Sequence, residues 1–555
     1  MTADPKPRIV IFSGPRATIQ NSAALLTSRR RRDDDDASGY DAVRSQLIAA
    51  PVTVYVEPFS AHPLEKDAAD LYGDVDGYLD GDGNFSETAD ETFTRPVFQV
   101  MLRPEDGPFM LPYVATQPGG IPWESTFASR PENKGKARQL FYPDASRIVA
   151  EIDRYAVDGA GQNNQLGSMA DFDFVRPAPS GGYTKGQAAA ERTDLGDGDI
   201  APEVLGEDFF AYAPLRKEPA LHTLARLTNV VAATMATGKY TGGIWLEGSP
   251  TAEETIYWFN LVIPSDVPLV ANASQYGHGV LGNDGDHNLV QSTAYITSKV
   301  WAGADGKDRV GGVMVQNGQI FTAREVQKAD ARPGGYVATG GHGGIIGNTV
   351  WDPVLSFLPV KKHTHASELR LDAMPPEVTG HVLRDGAVVP VPVPVKDDEG
   401  KLLASAMPKV TIVRYVNYGA DDVGDGPEGE VEILARIERN LARFPLAGFV
   451  AEGSSPYGAV NESMRTALER AAFRGMPVVA VGRGGGGYVT PSSNNGGLFI
   501  TGSNLTAPKA RMLLMACLLK FGALPVPEDP DAPTEFELEQ LRKVLADYQS
   551  VFSSH

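Results

Sequence analysis

Apolar positions along this chain follow two alternating patterns at both of its ends. Short continuous apolar runs at 9–12, 243–246, 267–271, 312–316, 448–451 and 477–481 read as strands buried on both faces. Between them, apolar residues spaced i, i+3, i+4 predict helices at 221–233, 288–300, 432–444, 461–473 and 508–519, the last with Pro508 in its first turn. Strand followed by helix, repeated twice over, is the grammar of a parallel α/β sheet. The pattern therefore predicts two open α/β domains with mainly parallel sheets, at 1–375 and 408–555. They are joined by a linker at 376–407 whose Pro-alternating run, 389–395, suits a hairpin. A closing stripe of Leu538, Leu541, Val544, Leu545, Tyr548, Val551 and Phe552 predicts a last helix docked on its own domain.

From about 61 to 206 the periodicity fades into Gly, Pro, Asp and Asn, which reads as a large loop-rich insertion in the first domain. Only 145–155 is patterned as a helix there. Arginines at 29–32 followed by aspartates at 33–36 form a block that cannot pack as a core element, so it is read as a solvated surface loop.

Composition narrows the function classes. A formal charge of −20 on 555 residues disfavours nucleic acid and anionic membranes as partners. The single cysteine, Cys517, excludes an intramolecular disulfide and sits in an apolar run where a buried thiol is expected. Lys6 and Arg8 lead straight into the first strand without the apolar stretch of a secretion signal, and no run reaches transmembrane length. The expectation is a cytoplasmic protein.

Residues 242–255 carry the strongest chemical signal. An apolar run ends in Gly248-Ser249-Pro250, and Thr251 with Glu254 has the spacing of a capping box opening the next helix. At the carboxyl end of a parallel strand, such a turn gathers hydroxyls and backbone N–H groups where a polarised carbonyl or an anion can sit. Two other motifs carry less. The glycines after Arg483 lack the Lys-Ser/Thr of a phosphate loop, and His363 with His365 has no carboxylate–histidine cluster around it. No metal and no cofactor is expected.

The order of these pieces resembles the bacterial-type asparaginase/glutaminase family over about 221–375 and 408–520, with a fragment at 9–20. Glu247-Gly248-Ser249-Pro250-Thr251 followed by Glu253-Glu254-Thr255 is similar to the family's His-Gly-Thr-Asp-Thr and Glu-Glu-Thr. Asn283-Asp284-Gly285-Asp286-His287-Asn288-Leu289 is similar to its Ala-Asp-Gly-Pro-x-Asn-Leu. Ala323-Arg324-Glu325-Val326-Gln327-Lys328 resembles the segment that supplies the catalytic lysine. Lys362-His363-Thr364 and Thr501-Gly502 with Pro508-Lys509-Ala510-Arg511 resemble later family segments. The family's first signature, Thr-Gly-Gly-Thr-Ile-Ala, stands here as Ser13-Gly14-Pro15-Arg16-Ala17-Thr18-Ile19-Gln20.

The resemblance implies a two-domain amidohydrolase with Thr18 as nucleophile, Ser249 and Lys328 as its proton relay, and Tyr40 as the tyrosine closing over the substrate from a mobile loop. Glu247, Gly248, Thr251 and Arg16 are the expected substrate contacts. It also implies a homo-oligomer, tetramer or dimer, and a small-molecule amide substrate. Pro250 replaces the aspartate that in the family belongs to the triad and holds the substrate's α-ammonium, and no carboxylate near 488–495 matches the glutamate that reaches a neighbouring subunit's site. The expected substrate is therefore an amide other than asparagine. Two alternatives stay open: an asparaginase-fold binding or regulatory protein without catalysis, and a hydrolase of a related ester, imide or lactam.

Overall fold

A computed structural model describes residues 6–19, 52–56, 75–80, 84–102, 116–117, 121–122, 148–149, 152, 165–175, 220–277, 281–338, 344–416, 426–484 and 497–555. These fall in two compact units, one drawn from 1–19, 168–175 and 220–555, the other from 20–167 and 176–219. In the second unit, strands Val52–Val56, Arg95–Leu102, Gly77–Leu79 and Phe85–Ser86 pair in that spatial order into an antiparallel sheet. Most of the helix expected at 145–155 lies outside the described residues, though 148, 149 and 152 are helical.

The first unit holds two larger sheets and two separate hairpins. Strands β1 (Arg8–Ser13), β2 (Asp171–Val175), β3 (Gly242–Leu246), β4 (Leu269–Asn272) and β5 (Val313–Gln316) are all parallel, in spatial order β2-β1-β3-β4-β5. Strand β6 (Gln319–Thr322) turns back against β5 through Asn317 and Gly318, both with positive φ, and the sheet ends in antiparallel strands at Ile345–Asn348 and Val354–Leu355. A separate hairpin, β7 (Val326–Lys328) with β8 (Tyr336–Ala338), follows β6. The parallel strands read as near-continuous apolar runs because helices cover them: β3 is buried at every position. Strand β2 lies within the stretch 61–206, so that stretch contributes one strand to the main sheet.

Helix α1 (Ala220–Met235) precedes β3, α2 (Thr251–Val262) follows it, and α3 (Gly285–Ser298) follows β4. Helix α2 is buried at ten of its twelve positions, so it carries no single apolar stripe, and its buried polar residues include Glu253, Thr255 and Asn260. Trp245 of β3 meets Phe259 of α2 edge to face at 5.0 Å, and the Trp258 indole N–H donates to Thr228 of α1 at 2.8 Å.

Residues 376–407 form an antiparallel hairpin, Glu377–Arg384 with Ala387–Pro394, in full register. The second sheet is parallel throughout: β9 (Lys409–Arg414), β10 (Ala447–Gly453), β11 (Val478–Gly482) and β12 (Ile500–Thr501), in that spatial order. Helices α4 (Val431–Arg443), α5 (Glu462–Phe473), α6 (Ala507–Phe521) and α7 (Glu535–Ser554) accompany it. Pro508 stands in the first turn of α6, Cys517 is buried in it, and the predicted stripe of α7 is buried at Leu541, Leu545, Tyr548, Val551 and Phe552. Among the described residues no helix is long and apolar enough to cross a membrane.

Candidate active site

The chain runs from β1 to β2 on one side of the sheet and on to β3 on the other, so β1 and β3 flank the point where strand order reverses. Ligands of open α/β sheets bind at the carboxyl ends of strands at such a point. Here those ends are Ser13 and Leu246, and the turns that follow are knitted together. Gly14 N–H donates to the Leu246 carbonyl at 2.8 Å. The Glu247 carboxylate is 1% exposed and accepts from the Arg16 N–H at 2.8 Å and the Gly248 N–H at 3.2 Å. Backbone N–H groups therefore claim one oxygen of the Glu247 carboxylate. A Cβ at Gly248 would run into the Arg16 carbonyl oxygen, which explains the glycine sterically.

Thr18 is exposed at this crevice. Its hydroxyl accepts from the Ser274 N–H, after β4, at 2.8 Å and donates to the Glu247 carbonyl at 3.4 Å. Ser249 is half-buried in the turn after β3, one residue beyond Gly248. Arg16 is exposed at the mouth, its guanidinium 3.5 Å from the Thr251 hydroxyl. Tyr40 lies outside the described residues.

Helix α2 starts differently from the capping box read in the sequence. Pro250 is the N-cap, Thr251 is already the first helical residue, and no side chain caps the end. The Ala252 N–H reaches back to the Gly248 carbonyl at 2.9 Å, and Glu254 is drawn away by Arg511 of α6 at 2.5 Å, so neither partner of the box is in place. The Ser249 and Thr251 N–H groups have no hydrogen-bond partner among the described residues and stand at the positive end of the helix.

Lys328 ends β7 and pairs across the hairpin with Tyr336. Its ammonium lies 4.6 Å from the Tyr336 ring centroid and donates to the Arg332 carbonyl at 2.8 Å. Burial pulls the Lys328 pKa below its ordinary value, against the carboxylates of Asp284, Asp330 and Glu253. Tyr336 in turn faces the Ser249 hydroxyl; burial pushes its phenol pKa up, Ser249 opposes that, and no hydrogen bond of ordinary geometry closes on the phenol oxygen. Thr18 thus touches the backbone of Glu247, Ser249 is two residues on, and Lys328 approaches through Tyr336.

Three supporting residues lie within the family-like segments but were not among the expected site residues. Asp284 accepts from the Gln275 and Tyr276 N–H groups at 2.8 and 3.1 Å and from Gln316 at 3.1 Å, which fixes the carboxylate that acts on Lys328. Glu253 accepts the Lys328 backbone N–H at 2.5 Å, and burial raises its pKa against the pull of Lys509. Lys509 of α6 donates to the carbonyls of Glu253 and Ala323, the latter at 2.6 Å, and burial lowers its pKa to about 8. The Arg-Pro-Gly-Gly stretch at 332–335 is a turn signal that marks Tyr336 as the residue opposite Lys328. No group of three or more metal-ligating side chains occurs among the described residues.

Residues 218–339, which hold β3, α2, β4, α3 and the Lys328 hairpin, match the family model of the asparaginase N-terminal region. That match, together with the relatives that follow, likens the chain to a divergent asparaginase-like family. It is 26% identical over 298 residues to L-asparaginase 2 of Bacillus subtilis, covering 54% of this chain and 66% of that protein, just under two thirds of its length. It is 23% identical over 338 residues to a glutaminase-asparaginase of Acinetobacter glutaminasificans, covering 56% and 86% of the two. Among solved structures, the probable cytoplasmic L-asparaginase of Campylobacter jejuni matches 70% of this chain and 94% of its own, at 19% identity and a TM-score of 0.45. Within this asparaginase-like chain, Pro250 stands between the Ser249 hydroxyl and the start of α2.

Proposed function

We propose that this protein is an amidohydrolase that cleaves a small amide other than asparagine through an acyl-enzyme on Thr18. What supports this reading is that the Thr18 hydroxyl after β1 bonds the Glu247 carbonyl after β3, at the sheet's switch point, while Tyr336 faces Ser249 and carries the Lys328 amine over its ring. The Thr18 oxygen attacks the amide carbon while its proton passes to Ser249 and the Ser249 proton passes to the Lys328 nitrogen. The developing oxyanion faces the Ser249 and Thr251 N–H groups, each worth about 3 kcal/mol in such a setting. Collapse breaks the C–N bond, the relay returns a proton to the leaving nitrogen, and water hydrolyses the ester to release the acid and Thr18.

Arg16 and the amino end of α2 favour an anionic group on the substrate, whereas Pro250 offers no counter-charge to an α-ammonium. The relatives' names, asparaginase and glutaminase-asparaginase, support amide chemistry of this class. A cytoplasmic homo-oligomer, dimer or tetramer, completes the proposal.

The engagement of the Thr18 hydroxyl by Ser274 and Glu247 supports a second reading, a binding protein on the same scaffold. Ammonia or amine release across a panel of carboxylate-bearing amides separates the two. Catalysis predicts turnover that Thr18→Ala abolishes, whereas thermal stabilisation by amides that stay intact for hours supports binding alone.

A further inference from the structure

The buried phenol of Tyr336 takes no part in the attack, relay or collapse steps of the proposed hydrolysis. The residue sits opposite Lys328 in the hairpin register, packs its ring against Phe321 at 6.5 Å between centroids, and lies under the Lys328 ammonium. Its oxygen is sealed from solvent without a hydrogen bond of ordinary geometry; the hydroxyl it faces is that of Ser249, and the Glu253 and Asp284 carboxylates also act on it. A buried hydroxyl left in that condition is costly unless a partner closes on it. Ser249 is the residue beside which the family has a carboxylate and this chain has Pro250.

We infer that Tyr336 is a positioning residue for the relay: its phenol pairs with the Ser249 hydroxyl and so holds Ser249 Oγ toward the Lys328 amine. This rests on reading the Thr18, Ser249 and Lys328 crevice as the reacting site. The chemistry balances without an added group. Burial keeps Tyr336 protonated throughout, so it gives no proton away. The Arg332 carbonyl holds one N–H of Lys328, leaving the nitrogen lone pair of the neutral amine to take the Ser249 proton as Ser249 takes that of the nucleophile. A neutral phenol thereby orients the serine in place of a carboxylate that would have favoured the charged amine.

The test reads the relay with and without turnover. In protein carrying isotope-labelled lysine, with the Lys328 signal assigned by Lys328→Met, Tyr336→Phe should raise the Lys328 pKa towards its ordinary value, because the neutral amine loses its oriented donor. Ser249→Ala should raise it too, and the double variant should go no further than either. Tyr336→Phe keeps the ring and should fold with unchanged or higher thermal stability, since it removes a poorly satisfied buried hydroxyl. In ammonia release from the best amide of the panel, it should lower kcat by about 10²-fold and leave KM nearly unchanged. A Lys328 titration identical in wild type and Tyr336→Phe overturns the inference even if the enzyme turns over. Coupled titrations with no ammonia released from any amide would instead uphold the contact and count against the hydrolase reading.

Discussion

The Thr18 hydroxyl accepts a 2.8 Å hydrogen bond from the Ser274 N–H, and the Ser274 hydroxyl donates back to the Thr18 carbonyl at 2.8 Å. This reciprocal pair fastens the turn after β1 to the end of β4, and it aims the threonine side chain at the turn after β3. Removing the oxygen while keeping the shape, as in Thr18→Val, leaves the Ser274 N–H without its acceptor. Stability should fall by about 1–3 kcal/mol in urea titrations, and amide turnover should fall by 10³-fold or more, on the order seen when a nucleophile is removed. Thr18→Ser should retain the fold and part of the activity. A fully active Thr18→Val protein would remove Thr18 from the chemistry.

Gly248→Ala places a methyl against the Arg16 carbonyl oxygen, which is backbone and cannot swing aside. The turns after β1 and β3 must separate, costing about 1–3 kcal/mol and moving Thr18 relative to Ser249. Calorimetry should show a lower Tm together with lost turnover. An active variant of wild-type stability would mean that the two turns are not held as tightly as the Glu247 hydrogen bonds imply.

Lys509 gives a pH signature with a definite sign. Its pKa is about 8 in the fold, below the ordinary 10.5, so between those values the unfolded chain binds the extra proton and stability rises with pH. The contribution is fully present above 10.5 and is lost as pH falls through about 8. Urea midpoints measured from pH 7.5 to 9.5 should rise more steeply for wild type than for Lys509→Met. Parallel curves would show that the buried amine titrates normally.

Asp308 has the opposite slope. Burial lifts its carboxyl to about 7 although the Val310 and Gly311 N–H groups bond it at 2.8 and 3.0 Å. The folded state therefore holds the proton between the ordinary 3.8 and about 7, and stability falls as pH rises through that window. Neutral His363 and His555, lowered to about 4, act in the reverse direction below 6.5. The difference between wild type and Asp308→Asn isolates the aspartate. The asparagine keeps the acceptor oxygen, so its stability advantage should grow from pH 4 to 7, and a constant difference would contradict the assignment.

Much of the architecture was legible in the sequence because it is written locally. The apolar runs at 9–12, 243–246 and 448–451 became β1, β3 and β10, and Pro508 marked the start of α6. At the candidate site the turn at 248–250 was legible locally, as the end of an apolar run, whereas Lys328 was suggested by the family resemblance alone. What failed was long-range. Glu254 has the spacing of a capping partner, yet an arginine in α6 claims it. Glu253 and Lys509 meet from positions 256 apart, and no local periodicity announces such a pair. The three-residue strands of the Lys328 hairpin were too short to show an alternation, so Tyr336 went unnoticed.

The central claim is tested most directly by trapping the covalent intermediate. The protein is acid-quenched during turnover of the best amide, and its intact mass and proteolytic peptides are compared with those of untreated protein. The account predicts a mass increase equal to the acyl group, confined to the peptide containing Thr18 and absent from Thr18→Ala. Amide consumption with no adduct, or with the adduct on Ser249, would contradict it.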